Sequence, residues 1–335
     1  MKVYERPCPH CPVELSLDNL KKYNLDYSSY PLKVVEFIVE DQFVPGQFYY
    51  NRDSVILKST ADGRVEHFVG RYFDDFTARY KPGNSTTAEF SPYILGLAQS
   101  DLTTFFIADY FNNCVRKFDL KSDYVSQFIG TCRVDNNSKT LFPGRSYLPD
   151  YDFLSGVGQI LYLKQRDCLL MIDLHEYITV YSFATGNVSL LSGETSLLPV
   201  QEPRGMLANS DESQLYVTER FQHLSRIDLE TYEVTFLIGQ TANPFATGTL
   251  SSIDLSYTPI LHWMVPDKLI VTVQIVEESL LFIDLVGGQA YSACADLKNL
   301  SQTVTGNLSS CVLNAPLDLY CVFQQFYLYS NNTWL

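Results

Sequence analysis

An all-β fold of repeated four-stranded units is predicted from three observations. The chain of 335 residues is 46% hydrophobic and only 19% charged, with 23 Tyr and 21 Phe. Such residues cover pleated, half-buried surfaces well. A strand–turn–strand pattern recurs along the sequence at blade-like spacing. No segment sustains a 3.6-residue apolar period, although Val13 to Tyr23 comes nearest. A four-stranded unit cannot bury both faces alone, so its neighbours must stack around an axis, which is the logic of a β-propeller.

Two units carry the pattern in full. In one, Phe106-Ile107-Ala108-Asp109 is a strand ending in an acid, Cys114 to Leu120 is a strand ending in Asp-Leu, and Val125 to Gly130 closes on glycine. In the other, Leu215 to Glu219, Leu224 to Leu229 and Val234 to Gly239 repeat the order. Upstream strands opened by Pro92 and Pro203 complete four strands per unit. Three further units are looser. They comprise Phe48 to Tyr50, Ser54 to Lys58 and Val65 to Gly70; Leu169 to Asp173, Ile178 to Phe183 and Val188 to Gly193; and Leu269 to Val273, Leu280 to Leu285 and Ala290 to Ser292. Gly287-Gly288 is a hairpin turn within the last of these. A sixth unit starts with Pro316 to Val322 and Phe326 to Ser330, and its third strand is cut short at Leu335. The expected architecture is therefore a six-bladed propeller over 34–335 with a truncated sixth blade. Residues 1–33 form a Cys-containing segment that ends a preceding module, and the chain is expected to be part of a longer ectodomain.

The run Ile107-Ala108-Asp109-Tyr110-Phe111-Asn112-Asn113-Cys114-Val115-Arg116-Lys117-Phe118-Asp119-Leu120 resembles an NHL repeat, as does Tyr216 to Leu229. The long polar link from Gly239 to Pro259 resembles that family too, and the resemblance spans roughly residues 34–295. It implies a propeller, usually six-bladed, from a family with extracellular members and cytosolic RNA-binding ones. The formal net charge of −14 argues against the RNA-binding branch. The same acidity disfavours anionic membrane surfaces, and no apolar stretch is long enough for a transmembrane helix.

Two features point to an extracellular compartment. Sequons stand at Asn84, Asn136, Asn187, Asn299, Asn307 and Asn331, mostly in predicted loops. The eight cysteines are even in number. A hairpin centred near Ser122-Asp123 sets residue 114 opposite residue 131, so Cys114 and Cys132 are expected to bridge. Cys294 and Cys311 flank a polar stretch from Asp296 to Ser310 and are expected to close it. Cys8, Cys11, Cys168 and Cys321 are left without assigned partners.

Asp109, Asp173 and Glu219 end equivalent strands at turns that gather at one mouth of the axial channel. Several oxygen ligands there would suit Ca2+. The competing reading, acids accepting hydrogen bonds from turn backbone, is favoured, and no cofactor is expected. The histidines His10, His67, His175, His223 and His262 show no metal-ligand spacing. The NHL resemblance brings in a zinc-dependent amidating lyase, and propeller architecture a calcium-dependent lactonase, as the enzymatic alternative. Cys8-Pro9-His10-Cys11 is Pro-flanked and lacks a second pair, which suits half of a disulfide module. No phosphate loop or G-x-S-x-G elbow is present. The expected function is a glycosylated receptor or adhesion module that binds an extracellular protein or glycan and is not an enzyme. A metal-dependent hydrolase or lyase with its site in the axial channel is the alternative.

Overall fold

The computed structural model describes residues 37–334, except 61–63, 74–76, 133–144, 151–153, 155, 174–176, 192–197, 201, 220–222, 240–247, 254, 256–260, 275–278, 294–315, 323–324 and 331–332. The segment 1–33 therefore lies outside the described residues. Blade 1 comprises β1 (Ile38–Glu40), β2 (Phe48–Arg52), β3 (Val55–Ser59) and β4 (Val65–Val69). Blade 2 comprises β5 (Ile94–Asp101), β6 (Thr104–Asp109), β7 (Cys114–Asp119) and β8 (Tyr124–Gly130). Blade 3 follows with β9 (Val157–Leu163), β10 (Cys168–Asp173), β11 (Tyr177–Ser182) and β12 (Asn187–Leu190). Blade 4 has β13 (Pro203–Ala208), β14 (Gln214–Glu219), β15 (Leu224–Asp228) and β16 (Val234–Ile238). A short link strand β17 (Gly248–Thr249) precedes blade 5, which is β18 (Leu261–Val265), β19 (Leu269–Gln274), β20 (Ser279–Asp284) and β21 (Gln289–Ala293). Each blade is an antiparallel meander.

Five four-stranded blades are formed where six were expected. The two apolar runs read as the start of a sixth blade do pair, as β22 (Pro316–Val322) and β23 (Gln325–Ser330), and β22 lies beside β19. Among the described residues, only β24 (Thr333–Trp334) is added, giving a three-stranded sheet. Two strong strand runs specify a hairpin, and a hairpin alone does not make a blade.

The recurring sequence signals have direct structural causes. The Asp-Leu pairs close hairpins: Asp119 Oδ1 accepts the N–H groups of Lys121 and Ser122, Asp228 Oδ1 those of Glu230 and Thr231, and Asp284 Oδ1 those of Val286 and Gly287. These turn N–H groups hold the Asp228 carboxyl below the usual carboxylate range. The following leucines tie this hairpin to the neighbouring one: the N–H groups of Leu120, Leu229 and Leu285 donate to Thr103, Ser213 and Lys268 carbonyls. The closing glycines turn the chain out of the outer strand. Gly70, Gly130 and Gly239 have φ of +110°, +81° and +99°. A Cβ on Gly130 would stand 2.6 Å from the Asn113 carbonyl, and one on Gly70 would overlap the Ser54 carbonyl.

The links that leave these glycines cover the edge of the next blade. Gly83 bridges to Val125, Tyr147 to Val188 and Gly248 to Ala290, always near the start of the outermost strand. An outer strand otherwise exposes unpaired backbone groups, so this bridging protects blades 2, 3 and 5. Between blades lie separate apolar clusters. Tyr49, Ile56 and Phe68 pack against Phe105, Ile107 and Phe118 between blades 1 and 2. Phe106 and Ala108 meet Val157 and Met171 between blades 2 and 3, Leu170 meets Val217 between 3 and 4, and Tyr216 meets Ile270 between 4 and 5.

Candidate functional site

The three acids singled out in the sequence end β6, β10 and β14, and all are buried. Asp109 is fully occupied. Its Oδ1 accepts the Ser91 N–H at 2.8 Å, while Oδ2 accepts Asn112 Nδ2 at 2.8 Å and Arg116 Nη1 at 3.3 Å. Arg116 is as buried as its partner and extends the tie outward. Nη1 donates to the Glu89 carbonyl and Nη2 to the Lys81 carbonyl, both at 3.2 Å, and the guanidinium lies 4.4 Å from the Tyr80 ring centroid. Burial pushes the Asp109 carboxyl up and the Arg116 guanidinium down, and each opposes the shift of the other. The pair thus clamps the link from blade 1 onto blade 2.

The same register position recurs in the next two blades. Arg116 faces Ile107 across the ladder, Thr179 faces Met171, and Ser225 faces Val217; all three polar residues are buried. Ser225 donates its hydroxyl to Glu219, and Thr179 donates to the Met171 carbonyl at 3.3 Å. Each therefore stands two residues along the ladder from its blade's buried acid. Among the described residues, no group of three or more His, Cys, Asp or Glu side chains is placed to hold a metal ion.

A second feature was not foreseen from the sequence. An open cavity of about 400 Å³ is lined by Arg52, Val55, Leu57, His67, Gly70, Arg71, Tyr72 and Thr86. Register explains its composition. Arg52 pairs with Val55 and Leu57 with His67, while Ile56, on the opposite face, packs toward blade 2. The cavity is thus on the side of blade 1 turned away from blade 2, roofed by the link where Gly70 N–H meets the Ser85 carbonyl. His67 Nε2 donates to the Gly70 carbonyl at 2.7 Å, and Gln127 Nε2 holds the Gly130 carbonyl identically in blade 2. Arg71 keeps a half-exposed side chain 3.5 Å from Glu89. The signal in the sequence was Arg52 and His67 alternating with core residues, but only the folded link adds Arg71 and Tyr72.

The remaining candidates are placed as follows. Asn84 is exposed in a link turn, its Oδ1 accepting Thr86 and Thr87 N–H at 3.1 and 2.9 Å. Asn187 starts the outer strand β12 and is half-buried. Asn136, Asn299, Asn307 and Asn331 lie outside the described residues, as do Cys294 and Cys311 with their expected bridge. Cys114 and Cys132 are disulfide-bonded, and Cys168 is a buried free thiol whose pKa burial pushes up to about 11. His223 packs edge-on against Phe236. His10 and His175 lie outside the described residues.

His262, on β18, is half-buried, but its Nε2 is out of solvent and without a hydrogen-bond partner among the described residues. Burial pushes its pKa down to about 4. The folded state keeps this ring neutral, whereas the unfolded chain takes up a proton near pH 6.5. Its contribution is therefore whole above about pH 6.5 and is lost as pH falls toward 4. Urea titrations between these values should show stability dropping, and H262F should flatten that slope. An unchanged slope in H262F would assign the acid sensitivity elsewhere.

No protein-family profile and no curated protein sequence matches the chain. Solved structures do match. An auxiliary nutrient binding protein from Bacteroides thetaiotaomicron VPI-5482 aligns with a TM-score of 0.62 and 9% identity over 89% of this chain and 67% of that one. The nidogen/laminin complex gives a TM-score of 0.53 and 13% identity over 78% and 80% of the two chains. A streptogramin B lyase gives 0.53 and 11% over 90% and 92%. The shared feature is the fold, a β-propeller. The chain spans about two thirds of two of the Bacteroides thetaiotaomicron structures it matches, 66% and 67% of their lengths. Among the described residues, no helix is long and apolar enough to cross a membrane.

Proposed function

We propose that this chain is an extracellular, N-glycosylated binding module of the NHL-repeat type, which recognises a protein or glycan and performs no chemistry on it. The observation that carries this reading is the open cavity on blade 1, a solvent-connected volume of about 400 Å³ with a largely apolar surface and with Arg52, His67 and Arg71 among its lining residues. That volume is in the range of ligand sites. By contrast, Asp109, the first of the three strand-end acids, has both carboxylate oxygens engaged in structural bonds. The Cys114–Cys132 bridge suits an oxidising compartment. A nutrient binding protein and the nidogen/laminin complex share the fold, which supports binding as a use for it. The second reading, a metal-dependent hydrolase or lyase, rests on the buried Asp109, Asp173 and Glu219 at equivalent strand ends.

Protein made in a secretory host decides between them. At least half of the sequons, Asn84 among them, should lose mass on glycosidase treatment, and a panel of secreted ectodomains and glycans should yield saturable binding. An unglycosylated product would overturn the compartment. Stoichiometric calcium or zinc together with turnover of lactone or ester substrates would overturn the binding reading in favour of the second.

A further inference from the structure

We infer that the blade 1 cavity is a site for an acidic sugar residue, an inference that rests on the binding-module reading. Three cationic or potentially cationic side chains, Arg52, His67 and Arg71, converge on one volume in a chain whose net charge is −14. No carboxylate lines that volume among the described residues; the nearest one named, Glu89, stands outside the lining as the ion-pair partner of Arg71. The planar donor fork of a guanidinium matches paired oxygens of a carboxylate or a sulfate.

The rest of the lining suits a ring rather than a bare ion. Val55 and Leu57 give an apolar floor, and Tyr72 contributes an aromatic ring with a hydroxyl. A saccharide offers an apolar C–H face to such surfaces while its hydroxyls meet Tyr72 and Thr86. Arg71 is the adaptable element. It is paired with Glu89 at 3.5 Å with more than half of its side chain exposed, so an incoming anion can exchange with that carboxylate without unfolding anything. The opposite wall is fixed, because His67 is held on the Gly70 carbonyl and Gly70 on the link. A fixed wall and one mobile cation make a preorganised site that closes on its ligand.

Calorimetric titration of the purified glycoprotein, run at two salt concentrations, tests this. The acidic probes are N-acetylneuraminic acid, glucuronic acid and a sulfated heparin disaccharide; glucose is the neutral control and sodium sulfate the bare anion. At least one acidic sugar should saturate a single site while glucose does not. The probe that binds distinguishes a sialylated glycoprotein from a glycosaminoglycan as its source. R71Q should weaken that binding by about tenfold, and higher salt should weaken it too. H67Q should also weaken it while preserving the fold, since Gln127 makes the same carbonyl bond in blade 2. Equal binding of glucose, sulfate binding as tightly as the sugars, or full affinity in both variants would overturn the inference. Silence from every acidic sugar, alongside saturable binding of another partner, would overturn it and leave the binding-module reading intact.

Discussion

Replacing Arg116 with methionine should destabilise the fold by about 3–5 kcal/mol, because it strands a buried carboxylate without its counter-ion. Asp109 and Arg116 side chains are both 0% exposed, so water cannot substitute for the lost guanidinium. The same change releases the Glu89 and Lys81 carbonyls, loosening the link that crosses from blade 1 to blade 2. The double variant R116M/D109N separates these effects. The amide oxygen introduced by D109N can still accept the Ser91 N–H that Asp109 Oδ1 accepts, while the uncompensated charge is gone. The double variant should recover most of the loss, to within about 2 kcal/mol of the parent. In R116M alone, burial already raises the Asp109 carboxyl, so the deficit should shrink as pH falls and the acid protonates in the fold. Urea denaturation at several pH values measures both. A double variant as unstable as R116M would show that the packing of Arg116, and not its charge, is what holds the link.

That clamp shows where sequence reading succeeded and where it stopped. The acids were legible, since Asp109, Asp173 and Glu219 each end an apolar run before a polar turn. The polar residues at the matching ladder position were not, because Arg116, Thr179 and Ser225 are chemically unlike and become equivalent only once strand register aligns them. Aligned registers show blades 2 and 4 meeting the burial of an acid with different polar groups, Arg116 on Asp109 and Ser225 on Glu219, while Thr179 of blade 3 bonds the Met171 carbonyl. The blade count failed for a related reason. Strand runs are local and readable, but the number of strands a sheet recruits depends on pairing across the fold. The cavity was the least legible feature. Its basic side chains come from β2, β4 and the link, which only tertiary folding brings together.

Hairpin register shows the same limit on a smaller scale. A turn centred near Ser122-Asp123 sets residue 114 opposite 131. In the structure Asp119 pairs with Tyr124, so the turn lies one residue earlier, and a bulge between Val115 and Arg116 shifts the ladder back. Cys114 therefore faces Gly130, and the positive φ of Cys132, +51°, turns the chain back so that its sulfur reaches Cys114. Bulges of this kind carry no sequence label, yet they decide which residues face each other.

Removing the Cys114–Cys132 bridge as C114A/C132A should lower stability by about 3 kcal/mol, the loop-closure value for cysteines separated by 18 residues. The position makes the estimate a useful test of mechanism. Cys114 is fully buried and Cys132 nearly so, so two alanines also leave small voids. Dithiothreitol-reduced wild type keeps the sulfur volume and loses only the cross-link. If reduced protein and the double alanine variant fall by similar amounts, the bridge acts by restricting the unfolded chain. If reduction leaves stability unchanged, the sulfurs serve only as core volume. Reduction should itself be slow in the native state, because a reductant must wait for blade 2 to open around a buried sulfur. Its rate should then rise when Arg116 is replaced, since the link clamped by Arg116 pairs with the outer strand β8 through Gly83 and Val125. The bridge and the clamp lie on one strand, β7, and restrain opposite ends of the outer strand β8. Unchanged reduction kinetics in R116M would mean that the blade opens from the disulfide end without releasing the link.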